Sequence, residues 1–330
     1  MKELKNLISN KHKIVITTHV NPDGDAIGSS LALYNYLINM GHEVNVIVPN
    51  DFPDFLKWMH NVDKILNFSN SKEESVDLIS EASIIFCLDF NNLERINSLG
   101  DLISDSSAKK VLIDHHLEPD EFYDFKIHDT NASATAELVY DFLFYIDPKL
   151  IDKKIAEALY TGILTDTGSF KFSITPKVHT VIASLLDKGV DTNYINKKIY
   201  DSNSFDKLKL MGYALSEKLE LSSNGNVAYI ALSRQELLDH NFKKGDTEGL
   251  VNYALSIENV NMAVLIIETK ERIKFSFRSS GKFSVNQFAR KYFNGGGHKN
   301  AAGGSLEDKL SVALKKFLEN ISNYSKELNY

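Results

Sequence analysis

Four short runs of continuously apolar, β-rich sequence set the strongest limit on what this chain can fold into: KIVITTH (13–19), EVNVIVP (43–49), SIIFCLDF (83–90) and KVLIDHH (110–116). A strand with one wet face alternates apolar and polar residues, whereas a parallel strand covered by helices on both faces stays apolar along its length. Helical patterns lie between the runs, notably 26–40, which Gly41 would end. That alternation predicts an α/β fold with a doubly wound, mainly parallel sheet. Three more helical stretches follow, starting at Ser133, Ile151 and His179, the last closed by Gly189, and 191–222 reads as a helical connector.

A different texture begins at Asn226. NVAYIALS is followed by MAVLIIETKERIKFSFRSSG, which reads as a hairpin turning near Lys270 and Glu271. In its second strand Ile273, Phe275 and Phe277 alternate with Arg272, Lys274, Ser276 and Arg278, so one face is core and the other cationic. Arg272 and Lys274 read as solvated strand residues. A helix over 284–293, the glycine-rich loop GGGHKNAAGG and an amphipathic helix from about Glu307 complete the chain. Its 330 residues exceed what one core usually organises, and 43% hydrophobic residues suffice for two. The expected division is 1–190, the connector, and a smaller α/β domain over 223–330.

Composition narrows the function. The first residues lack a signal-peptide stretch and no run approaches the roughly 20 apolar residues of a membrane span, so the expectation is a soluble, cytoplasmic protein with no membrane partner. The single cysteine, Cys87, sits in an apolar run, reads as core and leaves no internal disulfide or thiolate metal cluster. A net charge of −7 argues against tight binding to long or duplex nucleic acid and leaves small or short anionic ligands.

In open α/β sheets ligands sit beyond the carboxyl ends of the strands. His19 ends the first run, with Asp23 and Asp25 in the turn NPDGD beyond it; Asp89 ends the third; Asp114, His115 and His116 end the fourth. Taken singly each has a plain structural reading: a turn with Asp25 capping the next helix, an Asp starting a turn, one core and one solvated His. Convergence on one sheet edge alters that, because like charges at close range raise carboxylate pKa values and the clustered groups lose solvation unless cations join them. Divalent metal resolves the conflict. Asp166, in YTGILTDTGSF near a helix C-terminus, opposes the helix dipole and needs the same compensation. Arg278 and the glycine-rich loop with His298 can grip phosphates through charge-assisted hydrogen bonds and backbone amides. That loop lacks the GK[ST] ending of a Walker A motif, and no GxGxxG follows the first strand, which disfavours a dinucleotide dehydrogenase.

These residues resemble the DHH phosphoesterase superfamily, named for the triplet seen here as Asp114, His115 and His116. THVNPDGDAIGSS resembles its first motif, LDFN with Asp89 its second, LIDHH its third and YTGILTDTGSF its fourth; GGGHKNAAGG is similar to the signature of the associated DHHA1 domain. The likeness spans nearly the whole chain, and length and architecture resemble the NrnA-like group of bifunctional oligoribonucleases (nanoRNases) and pAp phosphatases. It implies an N-terminal DHH catalytic domain, a DHHA1 substrate-binding domain and an active site in the cleft between them. It further implies one divalent ion on His19, Asp23 and Asp89 and a second on Asp25, Asp89, His115 and Asp166, with Asp89 bridging. Mixed carboxylate and imidazole ligation suits Mn²⁺, and the pair would activate a hydroxide for in-line attack on phosphorus.

In that resemblance Asp89, Asp166 and His116 are the catalytic residues, His116 contacting the phosphate or assisting the leaving oxygen while Asp114 orients a ligand. Arg278, Gly296, Gly297 and His298, with His116, bind substrate. The implied reaction is hydrolysis of very short RNA or linear dinucleotides to mononucleotides and of pAp to AMP, with a homodimer as an allowed assembly. The rivals are a single-strand DNA exonuclease, which usually carries extra nucleic-acid-binding domains, a polyphosphatase, a pyrophosphatase with a different C-terminal domain, and a non-catalytic nucleotide sensor. DFPDFLKWM around Trp58 reads as core in preference to a lid or dimer contact.

Overall fold

The first apolar run becomes strand β1 (Lys13–Thr18), central in a six-stranded sheet of the computed structural model, which describes residues 1–328. Its companions are β2 (Glu43–Val48), β3 (Ile65–Asn67), β4 (Ile84–Leu88), β5 (Lys109–Asp114) and β6 (Phe125–His128). They run in the order β3-β2-β1-β4-β5-β6, every neighbouring pair parallel. The sheet is flanked by α1 (Lys2–Leu7), α2 (Gly24–Asn39), α3 (Lys72–Glu81), α4 (Ser98–Asp105), α5 (Thr135–Ile146), α6 (Lys153–Asp166), α7 (Pro176–Asp187) and α8 (Thr192–Ile199).

Successive residues of one strand feed different cores, which is why the runs are apolar throughout. Ile14, Ile16, Phe86, Leu88 and Ile113 join the core under α2, α5, α6 and α7. Val15, Ile85, Cys87 and Leu112 join a second core with Ile79 of α3 and Leu99 and Ile103 of α4. Burial pushes the Cys87 thiol up to about 12. In the first core α2 lies against α6 at backbone distance: a Cβ on Gly28 would stand 2.6 Å from the Ala158 carbonyl oxygen and 2.9 Å from Gly162 N. Trp58 packs on this core with buried Leu56 and Met59, and its ring meets Tyr194 of α8 edge-on at 5.4 Å.

A second compact unit begins at Asn203. It contains α9 (Phe205–Glu217), β7 (Leu219–Leu221), β8 (Val227–Leu232), α10 (Arg234–Asp239), α11 (Leu250–Leu255), β9 (Met262–Glu268), β10 (Ile273–Ser279), α12 (Val285–Tyr292), β11 (Gly296–His298), β12 (Ala301–Leu306) and α13 (Leu310–Ser322). The sheet order is β11-β12-β10-β9-β8-β7, with β8 and β9 parallel and the other pairs antiparallel. The region read as a connector divides between the units: Ile195 and Ile199 of α8 join the first unit's core, Leu210 and Ala214 of α9 the second's.

On β10 the alternation holds, Ile273, Phe275 and Phe277 packing with Phe288, Phe293 and Phe317 while Lys274 is exposed. GGGHKNAAGG departs from the expected loop. It forms the β11–β12 hairpin, Gly296 opposite Gly303 and His298 opposite Ala301, and its glycines admit close neighbours: a Cβ on Gly304 would lie 2.9 Å from Phe293. No helix among the described residues is long and apolar enough to cross a membrane.

Candidate active site

The order of the first sheet reverses between β1 and β4, and chains leaving such neighbours to opposite sides open a crevice at the carboxyl edge. The loops after β1, β4 and β5 bring His19, Asp89 and His115–His116 to that edge. In NPDGD the capping residue is Asp23, not Asp25: Asp23 Oδ1 accepts from the amides of Asp25 and Ala26, both at 3.1 Å. Asp25 is turned inward and buried, Oδ2 accepting from Thr135 N (2.6 Å) and Oδ1 from Ala136 N (2.9 Å) at the start of α5. Gly162 makes room for it, since a Cβ there would lie 2.8 Å from Asp25 Oδ1.

Asp89 is the hub. It follows β4 with φ 64°, a conformation few non-glycine residues adopt, and its amide donates to the Ile113 carbonyl at 3.1 Å. Its Oδ2 lies 3.4 Å from His19 Nε2, while Oδ1 lies 3.6 Å from His115 Nε2 and 3.7 Å from His116 Nδ1. The Thr135 hydroxyl donates to the same Oδ1 at 2.9 Å. His19 Nε2 is also 3.8 Å from Asp23 Oδ1, and His115 Nε2 is 3.5 Å from Asp166 Oδ2 at the end of α6. Carbonyl oxygens orient both rings from behind: Val20 O is 3.0 Å from His19 Nδ1, and Ala132 O is 3.0 Å from His115 Nδ1. Each Nε2 therefore faces the carboxylates, the arrangement that fixes a ligating imidazole. His116 is held by buried Asp114, with 2.7 Å between Nδ1 and Oδ1.

The electrostatics follow from this crowding. Burial opposes a charge on His19, but Asp23 and Asp89 outweigh it and raise the ring to about 10. Burial likewise works against Asp89, yet His19 keeps it below the ordinary carboxylate range. Asp25 goes the other way: burial, then the charges of Asp89, Asp166 and Asp23, push it well above its ordinary value. His116 is held well below the usual imidazole range by burial and by Arg95.

A site that crowds Asp25 with Asp89, Asp166 and Asp23 suits a divalent cation. The donors fit one. His19, Asp23 and Asp89 form one group and Asp25, Asp89 and His115 another, each offering atoms within 4.8 Å of one another. Oxygen with imidazole nitrogen and no thiolate is a donor set for Mn²⁺-like ions.

All eight side chains that the sequence suggested in the first unit meet at this edge. In the second unit Arg278 and His298 both lie opposite Ala301 of β12, one on each side, which puts the two side chains on the same face of the sheet. The glycines Gly296 and Gly297 belong to strand β11, not to an open amide cradle. Sequence reasoning missed Thr135, the Ala132 carbonyl and Gly162. Ser133 and Glu137 in SATAELVY mark a helix start, yet nothing in them says which carboxylates that start holds.

A family model for the N-terminal domain of the DHH family matches residues 13–163, and the DHHA1 domain model matches residues 224–327. Over 309 residues the chain is 31% identical to the bifunctional oligoribonuclease and PAP phosphatase NrnA of Thermus thermophilus, covering 93% of this chain and 88% of that one. The chain belongs to the DHH/DHHA1 phosphoesterase family. A DHH-family relative of the same name from Bacillus subtilis is 29% identical over 309 residues, 92% of each chain. The crystal structure of an exopolyphosphatase-related protein from Bacteroides fragilis is 42% identical, with a TM-score of 0.94 over 99% of this chain and 96% of that one.

Proposed function

We propose that this DHH-family phosphoesterase hydrolyses very short oligoribonucleotides or linear dinucleotides to mononucleotides and takes the 3′-phosphate from pAp to leave AMP. The observation that carries the reading is Asp89, whose two oxygens face opposite imidazoles, 3.4 Å from His19 and 3.6 Å from His115, as a carboxylate shared by two cations would. His19, Asp23 and Asp89 would hold one divalent ion and Asp25, Asp89, His115 and Asp166 the other, Mn²⁺ being favoured by the donors. When bound, such a pair supplies an activated water and neutralises charge developing on the phosphoryl oxygens.

The protein's own groups do the rest. The carbonyls of Val20 and Ala132 fix the His19 and His115 rings, so ligand geometry is set before substrate arrives. His116, held at Nδ1 by Asp114 and pushed below the usual imidazole range by burial and Arg95, presents its other ring nitrogen to the phosphate or the leaving oxygen. On the second unit Arg278 and His298 engage a terminal substrate phosphate, and Gly296 and Gly297, with no side chains, let it approach. A requirement for a terminal phosphate favours short substrates, as does the net charge of −7.

The test is Mn²⁺-supported hydrolysis of a 5′-phosphorylated RNA dinucleotide, a long single-stranded RNA and pAp, side by side. Turnover of the dinucleotide and pAp well above that of the long strand is expected. Preference for the long strand, or for inorganic polyphosphate added as a fourth substrate, contradicts the proposal; tight binding without turnover makes the protein a sensor.

A further inference from the structure

We propose that Thr135 is a positioning residue that locks the Asp89 carboxylate in its bridging orientation. This rests on the metal centre proposed above and assigns a device that holds it in shape. Thr135 opens α5, is fully buried and touches two of the site's carboxylates: its hydroxyl donates to Asp89 Oδ1 at 2.9 Å and its backbone N to Asp25 Oδ2 at 2.6 Å.

Asp89 needs such a lock. It lies just beyond the end of β4, in left-handed backbone, where its amide's bond to Ile113 holds the main chain but leaves the carboxylate free to turn. The terminal torsion of an aspartate is broad and nearly two-fold, so nothing covalent decides which oxygen faces which imidazole. A rotation there would turn Oδ2 away from His19 and Oδ1 away from His115 together. One lone pair of Oδ1 accepts from the hydroxyl, which fixes the carboxylate plane, and the other stays directed at His115. Threonine suits the task because branching at Cβ restricts χ1 and places the hydroxyl in advance. The same helical turn grips Asp25 through two amides, so two of the carboxylates assigned to the ions, Asp89 and Asp25, hang from one helix end.

Thr135→Val removes the hydroxyl, keeps the side-chain shape and leaves both amides on Asp25. Calorimetric titration of the metal-free proteins with Mn²⁺ should show affinity about 10–100-fold weaker in Thr135→Val, with Thr135→Ser within about threefold of wild type, the usual scale for groups that orient metal ligands. The kcat for the dinucleotide should follow the same order, and melting of the metal-free serine variant should match wild type. Wild-type Mn²⁺ affinity in Thr135→Val overturns the proposal, and so does equal weakening in valine and serine variants. Should the valine variant not fold, Thr135→Ala loses the same hydroxyl without adding a methyl, and wild-type affinity there overturns it equally. A wild-type protein that binds no Mn²⁺ is a different failure, since it removes the metal centre itself.

Discussion

The two sheets place their charged groups differently, and coverage is the reason. The first is buried on both faces, so an ionisable side chain in mid-strand would lie in one of two dry cores; Lys13, Glu43, Lys109 and Lys110 stand at strand starts and Lys126 on the edge strand β6, while the buried charges of the site gather at the carboxyl edge, where loops can turn them toward one another. In the second, β8 and β9 are also covered on both faces, but β10 buries Ile273, Phe275 and Phe277 on one side only and carries Lys274, Ser276 and Arg278 on the other. Edge chemistry is shaped by loop strain and helix ends, as Asp89 at φ 64° and Asp25 against α5 show. Face chemistry is shaped by strand register, which alone sets Arg278 and His298 opposite Ala301. Substitutions at the edge should therefore disable chemistry, and those on the face should weaken substrate capture.

The largest effect belongs to Asp89→Asn. Asparagine tolerates left-handed backbone, so melting should stay within a few degrees of wild type while kcat falls at least about 1,000-fold, or ~4 kcal/mol of barrier. A variant keeping a tenth of the activity would break the edge half of the comparison. Next is Gly162→Ala, whose Cβ would press on Asp25 Oδ1 and, at 2.6 Å, on the Ala136 Cβ. Overpacking of this kind costs about 1–3 kcal/mol in urea unfolding, and Mn²⁺ binding should weaken with it. An unchanged unfolding midpoint would mean that α2 and α6 can separate freely.

On the face, Arg278→Ala should lower kcat/KM for the dinucleotide by about 1.5–3 kcal/mol, the usual value of a hydrogen bond to a charged group, mostly through KM and with Mn²⁺ affinity intact. A fall in kcat with KM unchanged would move Arg278 from capture to chemistry. The smallest effect lies away from both regions. Glu236 closes the capping box of α10, and although burial opposes its charge, Lys218 at 2.8 Å, Tyr213 and Ser233 hold it down to about 2 from an ordinary 4.5. A carboxylate depressed by folding stabilises the native state fully above 4.5, and the gain disappears as pH falls from 4.5 toward 2. Glu236→Gln should thus cost about 1 kcal/mol at pH 7, with the difference in melting temperature from wild type closing through that acid window. A gap that stays constant down to pH 2 would show that the cost is steric.

Much of the first unit could be read in advance because two-sided burial writes itself as unbroken apolar runs, and because strand ends are where His19, Asp89 and His115 stand. The strands β3 and β6 could not: each is short, half-buried and at an edge, so neither carries a long apolar run. The choice between Asp23 and Asp25 as helix cap depends on which one the α5 amides attract, a contact more than 100 residues away in sequence. Glycine runs are ambiguous for a similar reason. GGGHKNAAGG suits a loop by propensity, but its second half pairs with β10, and Phe293 and Phe277 approach Gly304 too closely for a side chain there. Nothing local in SATAELVY marks Thr135, because the carboxylate its hydroxyl holds, Asp89, lies 46 residues earlier in the chain.

The most direct test of the central claim, that this sheet edge is a two-metal centre bridged by Asp89, is anomalous diffraction from crystals grown with Mn²⁺. Two peaks about 3.5–4 Å apart are predicted, one among His19, Asp23 and Asp89 and one among Asp25, Asp89, His115 and Asp166. A single peak that leaves Asp89 on one ion only, or no peak at this edge, would contradict it.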